Sequence, residues 1–305
     1  MDYYEQCSLC PRKCHVNRHI CTGFCGAGDM LKVARADLYF GEEPCISGKS
    51  GSGAIFFSGC NLKCEFCQNF RLSHENFGVE ISSEKLARIM IDLRDKGALN
   101  INLVTGTMYI PGIIEALDKV KDKLGIPIVY NSSGYESADA IRLLNNYVDI
   151  YLTDIKYYDD RFAMRYSGSP DYFENTSEAL MEMMNQKGKL NFYDNKKFDD
   201  ESAILKSGVI IRHLIMPGLR KDSIKILDYL NEKYDNKNYI LSLMSQYTPS
   251  YRALKHKEIN RTVTTFEYDS VVNHAIKLGF DNTYIQGRDS QSEEYTPEFD
   301  FTGID

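Results

Sequence analysis

Short apolar runs alternate with longer amphipathic runs along most of this chain, and this alternation limits the possible folds more than any other feature. The short runs are rich in β-branched and aromatic residues, as buried parallel strands are. They occupy residues 54–58, 100–104, 126–131, 148–152, 209–216 and 239–243. Helical patterns lie at residues 83–96, 111–124, 136–145, 171–186, 222–234 and 266–278. Repeated strand–helix units predict an α/β protein with a parallel sheet, either doubly wound or a full or partial barrel.

The two ends of the chain differ from this repeating part. Residues 1–50 are rich in Cys, Gly, Pro and Arg and are predicted to form a loop-like, Cys-rich segment. Residues 51–288 hold the repeats, with a polar excursion at 187–207 and a last apolar run at 283–286 that would add an edge strand. Residues 289–305 are acidic and are predicted to form a loosely held tail.

Charge and hydropathy exclude two classes of partner. The 36 basic and 43 acidic residues give a net charge of −7, whereas a nucleic-acid-binding protein needs a basic surface. No run reaches the roughly 18 apolar residues of a membrane helix, and residues 1–9 have no apolar signal-peptide core. The sequence therefore predicts a cytoplasmic protein that binds neither nucleic acid nor membranes.

Cysteines are confined to the first part of the chain. All nine lie within residues 1–67. Disulfides cannot pair an odd number, and a secreted protein would spread its cross-links through the fold. In a cytosolic chain this density indicates metal or cluster ligation.

The first predicted strand leads directly into Cys60, Cys64 and Cys67, a C-x3-C-x2-C motif at the carboxyl end of a strand. Sites in parallel α/β folds form at this end. Such spacing lets one loop wrap three thiolates around an iron–sulfur cube, which leaves one iron free for a substrate or cofactor. A structural zinc site, or an electron-transfer cluster with a fourth cysteine from elsewhere, is the alternative.

At this point the sequence resembles the radical S-adenosylmethionine (radical SAM) superfamily, and more narrowly its pyruvate formate-lyase activating enzyme-like group. The matching stretches are CSLCPRKC at 7–14, EEP at 42–44 with ISG at 46–48, FFSGCNL at 56–62, VYNSSGYE at 129–136, DIYL at 149–152, IRHL at 211–214 and MSQY at 244–247. The resemblance implies a partial (β/α)6 barrel. It also implies a [4Fe-4S] cluster that binds the amino acid end of S-adenosylmethionine, whose one-electron cleavage yields a 5′-deoxyadenosyl radical.

Candidates for holding S-adenosylmethionine follow the next strands. The turn at 105–109 has no carboxylate, although the superfamily often places one there. Asn131 and Ser133 form a polar turn after the third strand. Asp154 and Lys156 follow the fourth strand and resemble the Asp-x-Lys of the activating enzymes. Their two-residue spacing puts both side chains on one side of the strand, and a surface ion pair is the alternative.

The last two strands each contribute one candidate. Adjacent residues of a strand point to opposite faces, so only one of Arg212 and His213 faces the barrel interior. The resemblance favours His213. Gln246 ends the sixth strand. The alternative for both His213 and Gln246 is an ordinary core side chain.

A second group of cysteines precedes the barrel. Cys7, Cys10, Cys14 and Cys25 fit the family pattern best, and Cys21 is an additional candidate. Four thiolates could hold a structural zinc ion or an auxiliary iron–sulfur cluster, or the thiols could be unligated. The residues alone leave this open.

The resemblance implies an enzyme that activates a glycyl-radical enzyme by abstracting hydrogen from a glycine. It would need a one-electron donor such as flavodoxin or ferredoxin. The alternatives are a radical SAM enzyme that modifies a peptide or small metabolite, and a non-enzymatic iron–sulfur electron carrier. A carrier needs no cofactor pocket, so the residues at Asp154 and Lys156 argue against it.

Overall fold

The computed structural model describes residues 2–287 and 297–304. Its strands are β1 (Leu31–Tyr39), β2 (Ser52–Phe57), β3 (Val79–Ile81), β4 (Ile101–Val104), β5 (Ile128–Ser132), β6 (Ile150–Asp154), β7 (Asn191–Phe192), β8 (Leu205–Leu214), β9 (Ile240–Met244) and β10 (Thr283–Ile285). Its α-helices are α1 (Pro44–Ser47), α2 (Phe70–Ser73), α3 (Ser83–Asp95), α4 (Ile110–Leu124), α5 (Ala138–Leu143), α6 (Asp160–Ser167), α7 (Tyr172–Lys187), α8 (Arg220–Lys233) and α9 (Thr265–Lys277).

The sheet confirms the predicted parallel α/β fold. The six predicted strands are β2, β4, β5, β6, β8 and β9, and each pairs in parallel with the next. The run at 283–286 forms β10, which adds in parallel to β9. The strand order is β10-β9-β8-β6-β5-β4-β2-β1-β3, and within the described residues its two edges do not pair with each other. This open order is that of a partial barrel.

Alternate residues of the strands face two different cores. Ile211 and Tyr130 pack with the helices in the outer core. Val129, Leu152 and Ile210 form a smaller inner core with Ile46 from α1. The same alternation places polar residues at the carboxyl ends of the strands on the inner side. Within the described part of the chain, every helix is too short or too polar to span a lipid bilayer.

The N-terminal segment contains more regular structure than its composition predicts. The loop-like interpretation of residues 1–50 is wrong for Leu31–Tyr39, because β1 pairs antiparallel with β2 and extends the main sheet. Its alternating burial breaks at two adjacent buried residues, Val33 and Ala34, near a register shift. The sheet thus continues across residue 50, while the division into domains stays a prediction.

The chain end and one helix also differ from expectation. Residues 289–296 and 305 of the predicted tail lie outside the described residues. Residues 297–304 are not loosely held, because Phe299 and Ile304 are buried, and the amide of Phe301 donates to the carbonyl of Ala34. The sequence patterns also did not predict α6, a helix of 8 residues that directly precedes α7.

Gly134 allows the turn after β5 to approach β6 closely. Its φ of +80° is in the left-handed region, and a Cβ there would overlap the carbonyl oxygen of Asp154. Gly97 has a similar φ of +95° but no atom within 4 Å of its would-be Cβ. Alanine substitutions at the two glycines can therefore distinguish the cost of backbone strain from the cost of steric overlap.

We expect Gly97→Ala to lower the free energy of unfolding by about 1 kcal/mol through strain alone. Gly134→Ala should cost about 1–3 kcal/mol more, because the methyl group must displace the Asp154 peptide. Urea denaturation of both variants measures the difference. Equal losses would show that the close approach contributes nothing.

Candidate functional site

A cavity of about 280 Å³ lies at the carboxyl ends of the parallel strands. The loop after β2 lines it with Cys60, Cys64 and Cys67. Side chains from β5, β6 and β8 and from the turns that follow β5, β6 and β9 line it elsewhere. The three thiols of one loop therefore share a single chamber with the polar ends of the strands.

Backbone hydrogen bonds fix the cysteine loop (residues 59–69) against its neighbours. The amide of Lys63 donates to the Ser167 carbonyl at 3.0 Å, and the amide of Glu65 donates to the Tyr166 carbonyl at 2.8 Å. On the other side, the amide of Gly59 donates to the Leu72 carbonyl at 2.9 Å. The loop is thus held between α2 and the end of α6.

The thiols of this loop are partly buried and hydrogen-bonded. Ser73 Oγ donates to Cys67 Sγ at 3.2 Å, and Ser167 Oγ lies 3.0 Å from Cys64 Sγ. Burial raises the pKa of Cys60 to about 12 and that of Cys64 to about 11. A soft metal centre would displace these protons and receive three thiolates whose sulfur atoms already have hydrogen-bond partners.

Among residues 2–287 and 297–304, no three His, Cys, Asp or Glu side chains converge as ligands of one metal ion. A tetrahedral zinc ion needs donors about 2.3 Å from a single point. Thiolates bound to different irons of a cube need not converge. The three thiols of one loop match the three ligands that a four-iron cluster with one open iron requires.

A network of largely buried charges lines the same cavity as the cysteine loop. Arg212 Nε donates to Asp154 Oδ1 at 2.8 Å, and Lys156 pairs with Asp154 Oδ2. Arg212 also donates to Asn131 Oδ1 at 2.7 Å and lies 3.3 Å from Glu42 Oε2. We call Glu42, Asn131, Asp154, Lys156 and Arg212 the charged wall.

The two carboxylates of the charged wall respond differently to burial. Burial raises the pKa of Glu42 to about 7, although Arg212 opposes this. Burial also acts to raise the pKa of Asp154, but Arg212 and Lys156 together hold it below its ordinary value. Asp154 therefore stays charged at neutral pH, whereas Glu42 titrates near neutral pH.

The structure brings most of the predicted cofactor residues to the cavity. Asn131, Ser133, Asp154, Lys156 and Gln246 all line it. The Asp154–Lys156 pair is buried in the cavity wall rather than on the surface, with side chains 11% and 15% exposed. Which of these residues bind S-adenosylmethionine stays a prediction.

His213 does not reach the cavity, so the prediction that it faces the barrel interior is wrong. Ile210 of β8 faces inward, and Arg212, two residues further on the same face, takes the cavity position. His213 Nδ1 instead lies 2.6 Å from the Ile155 carbonyl oxygen in the outer layer. Burial lowers the pKa of His213 to about 4, so it is neutral there.

Sequence patterns missed Glu42 as a site residue. It lies in the segment between β1 and α1, yet its side chain is only 7% exposed. Its Oε1 accepts from Asn102 Nδ2 at 2.9 Å and from Asn131 Nδ2 at 3.1 Å. Glu42 thus brings a carboxylate close to the end of β4, whose following turn has none. The resemblance at residues 42–44 was the available signal.

The chain can now be compared with known proteins. The family model of the radical SAM superfamily matches residues 54–230, more than half of the chain. The chain belongs to the radical SAM superfamily. Members use a [4Fe-4S] cluster and S-adenosylmethionine and need an electron donor, so both main cofactor predictions are confirmed.

Two relatives extend this comparison. An uncharacterized protein of Methanocaldococcus jannaschii is 32% identical over 291 residues, which cover 92% of this chain and 77% of that protein. The pyruvate formate-lyase-activating enzyme of Clostridium pasteurianum is 24% identical over 188 residues, or 60% of this chain and 70% of that enzyme.

Solved structures resemble this chain more distantly. SuiB of Streptococcus suis bound to S-adenosylmethionine has a TM-score of 0.48 and 14% identity over 75% of this chain. Methylornithine synthase has a TM-score of 0.48 and 14% identity over 71% of this chain. The chain spans 48% of the first protein and 59% of the second.

We expect Glu42→Gln to weaken S-adenosylmethionine binding about tenfold or more, because a buried polar contact contributes about 1–3 kcal/mol. The cluster should remain, since Glu42 is not a thiol. Wild-type affinity should fall as pH drops from about 8 to about 6, because the carboxylate with a pKa of about 7 loses its charge. The variant should lack this part of the pH dependence. Anaerobic titration followed by cluster spectroscopy measures both effects.

Glu43→Gln is the matched control. Glu43 is the adjacent buried carboxylate but does not line the cavity. At pH 8, where Glu42 is charged in both proteins, the affinity of this variant for S-adenosylmethionine should match that of the wild type. Its pH dependence should move to lower pH, because the Glu43 carboxylate helps to raise the pKa of Glu42. Equal losses in the two variants would assign the effect to general packing of this segment.

Proposed function

We propose that this chain reductively cleaves S-adenosylmethionine and uses the product radical to abstract hydrogen from a glycine of a partner protein. One observation carries the proposal: three thiols on a single loop and the charged wall line one cavity. The similarity to the activating enzyme of Clostridium pasteurianum supports glycine as the target.

When bound and reduced by an external carrier, the cluster would supply one electron for cleavage of the sulfonium of S-adenosylmethionine. This would give methionine and a 5′-deoxyadenosyl radical, which would take up a hydrogen atom from the substrate and become 5′-deoxyadenosine. Cys60, Cys64 and Cys67 would hold the cluster. The charged wall would orient the ribose and amino acid groups by hydrogen bonds. Phe66 and Tyr247, whose rings lie 5.7 Å apart beside the loop, would limit the access of water.

A protein substrate is compatible with the open sheet. The described edge strands β3 and β10 do not pair, so the barrel has an open side through which a glycine loop could reach the cavity. The electron would come from a carrier such as flavodoxin or ferredoxin. The reaction would need both the electron carrier and the protein substrate. It would also need anaerobic conditions, because oxygen destroys carbon radicals and exposed clusters.

The cleavage reaction is tested without a substrate. Reconstituted protein with S-adenosylmethionine and a strong one-electron reductant should release methionine and 5′-deoxyadenosine slowly. Cys60→Ala, Cys64→Ala and Cys67→Ala should each abolish this release, because three thiolates hold the cluster. Cys21→Ala, at an exposed cysteine outside the cavity, is the control and should retain it. No release by the wild type, with its cluster intact, would favour the electron-carrier alternative.

The identity of the substrate is tested by labelling. With glycyl-radical enzymes of the same source, deuterated at glycine, deuterium should appear in 5′-deoxyadenosine. A stable protein radical should then be detected by electron paramagnetic resonance. If cleavage occurs but no such enzyme responds, and deuterium transfers from a peptide or small metabolite instead, glycyl-radical activation is wrong.

A further inference from the structure

Four of the N-terminal cysteines line a second, small cavity of about 10 Å³ that is separate from the first. Cys7, Cys10, Cys14 and Cys25 all line it, although Cys25 lies 11 residues beyond Cys14 in the sequence. Cys21 does not line this cavity. The fold thus selects four of the five candidate thiols.

Backbone turns position these thiols, and Gly23 leaves space between two of them. The amide of His15 donates to the Cys7 carbonyl at 3.0 Å, and the amide of Lys13 donates to the Cys10 carbonyl at 3.0 Å. Gly23 lies between the other two: a Cβ there would be 3.6 Å from Cys25 Sγ and 3.8 Å from Cys14 Sγ. A side chain at this position would enter the space between the sulfur atoms.

The backbone around Cys14 is strained. Lys13 and His15 flank it with φ values of 42° and 53°, a conformation that costs energy for non-glycine residues. Such conformations persist where surrounding structure compensates for them and are common at functional sites. Ligation of Cys14 would provide this compensation.

The positions of the four cysteines favour a cluster over zinc. Zinc ligands typically occur as two closely spaced pairs, whereas here three cysteines occupy one loop and the fourth is remote. Iron–sulfur proteins use this three-plus-one arrangement.

A buried cation accompanies the four thiols. Arg18 is 2% exposed, and its Nη1 lies 3.9 Å from Cys7 Sγ. Its guanidinium donates to backbone carbonyls, including that of Met108 at 2.5 Å. A cluster held by four thiolates is anionic, so the arginine would offset its charge.

The two cavities share a wall of backbone. The amide of Cys60 donates to the Cys25 carbonyl at 3.3 Å. A Cβ on Gly59 would lie 2.8 Å from the same oxygen. Cys25 is therefore in direct contact with the cysteine loop.

We propose that Cys7, Cys10, Cys14 and Cys25 bind a second four-iron cluster, next to the one expected at the first cavity. The proposal concerns metal content, so it does not rest on the proposed reaction. It is tested by iron, sulfide and zinc analysis of anaerobically reconstituted protein, together with Mössbauer spectroscopy.

Wild-type protein should contain about eight iron and eight sulfide per chain, two four-iron clusters. The Cys60→Ala/Cys64→Ala/Cys67→Ala variant should retain about four of each, with the Mössbauer signature of a four-iron cluster. This variant leaves every residue of the second cavity intact, so it tests the proposal even if replacing the N-terminal cysteines prevents folding. The N-terminal fourfold Cys→Ser variant, where it folds, should retain the cluster whose spectrum changes with S-adenosylmethionine.

Cys21→Ser is the matched control, because this cysteine lies in the same segment but outside the cavity, and it should retain about eight iron. Three outcomes would overturn the proposal. They are loss of all iron in the Cys60, Cys64 and Cys67 variant, one zinc per chain in that variant, and an unchanged iron content in the N-terminal fourfold variant.

Discussion

The interior of the sheet is organised around four buried charges that neutralise one another. Glu42, Asp154, Lys156 and Arg212 come from the N-terminal segment, β6 and β8. Buried ion pairs add little net stability, but removing one partner costs about 3–5 kcal/mol because the other is left unpaired. The network therefore fixes how these elements meet rather than how strongly they associate. It leaves hydrogen-bonding groups at the cavity surface, where a polar cofactor can use them.

The N-terminal segment precedes the barrel in sequence and also contributes to the first cavity. Glu42 completes the charged wall, and the Cys25 carbonyl supports the cysteine loop at Cys60. Gly59 permits this contact, because a side chain there would crowd the Cys25 carbonyl. Residues 1–50 thus belong to the structure of the site. The proposed second cluster lies within this same segment, which contacts the cysteine loop through the hydrogen bond from the Cys60 amide to the Cys25 carbonyl.

Membership in the radical SAM superfamily explains why thiols and charges share one chamber. The cofactors of this superfamily require soft ligands for iron and hydrogen-bonding groups for an amino acid and a ribose. In the proposed function, the cysteine loop would provide the first, and the charged wall would provide the second. Substrate selection is a separate property, because in the proposed function it would depend on what enters through the open side of the sheet. The charged wall faces the cofactor cavity and carries no information about that partner.

The sequence by itself determined the parallel fold, the cysteine loop and the superfamily, because strand–helix periodicity and ligand spacing are local properties. It also placed Asp154 and Asn131 at strand ends, where parallel strands meet at one edge. Only the tertiary structure decided between Arg212 and His213, since the face a strand residue occupies depends on the register of β8 against its neighbours. The tertiary structure alone placed Glu42 in the charged wall, because the contact between Glu42 and Arg212 joins residues more than 100 positions apart in sequence. Contacts of that kind arise from packing and leave no periodic signal in the chain.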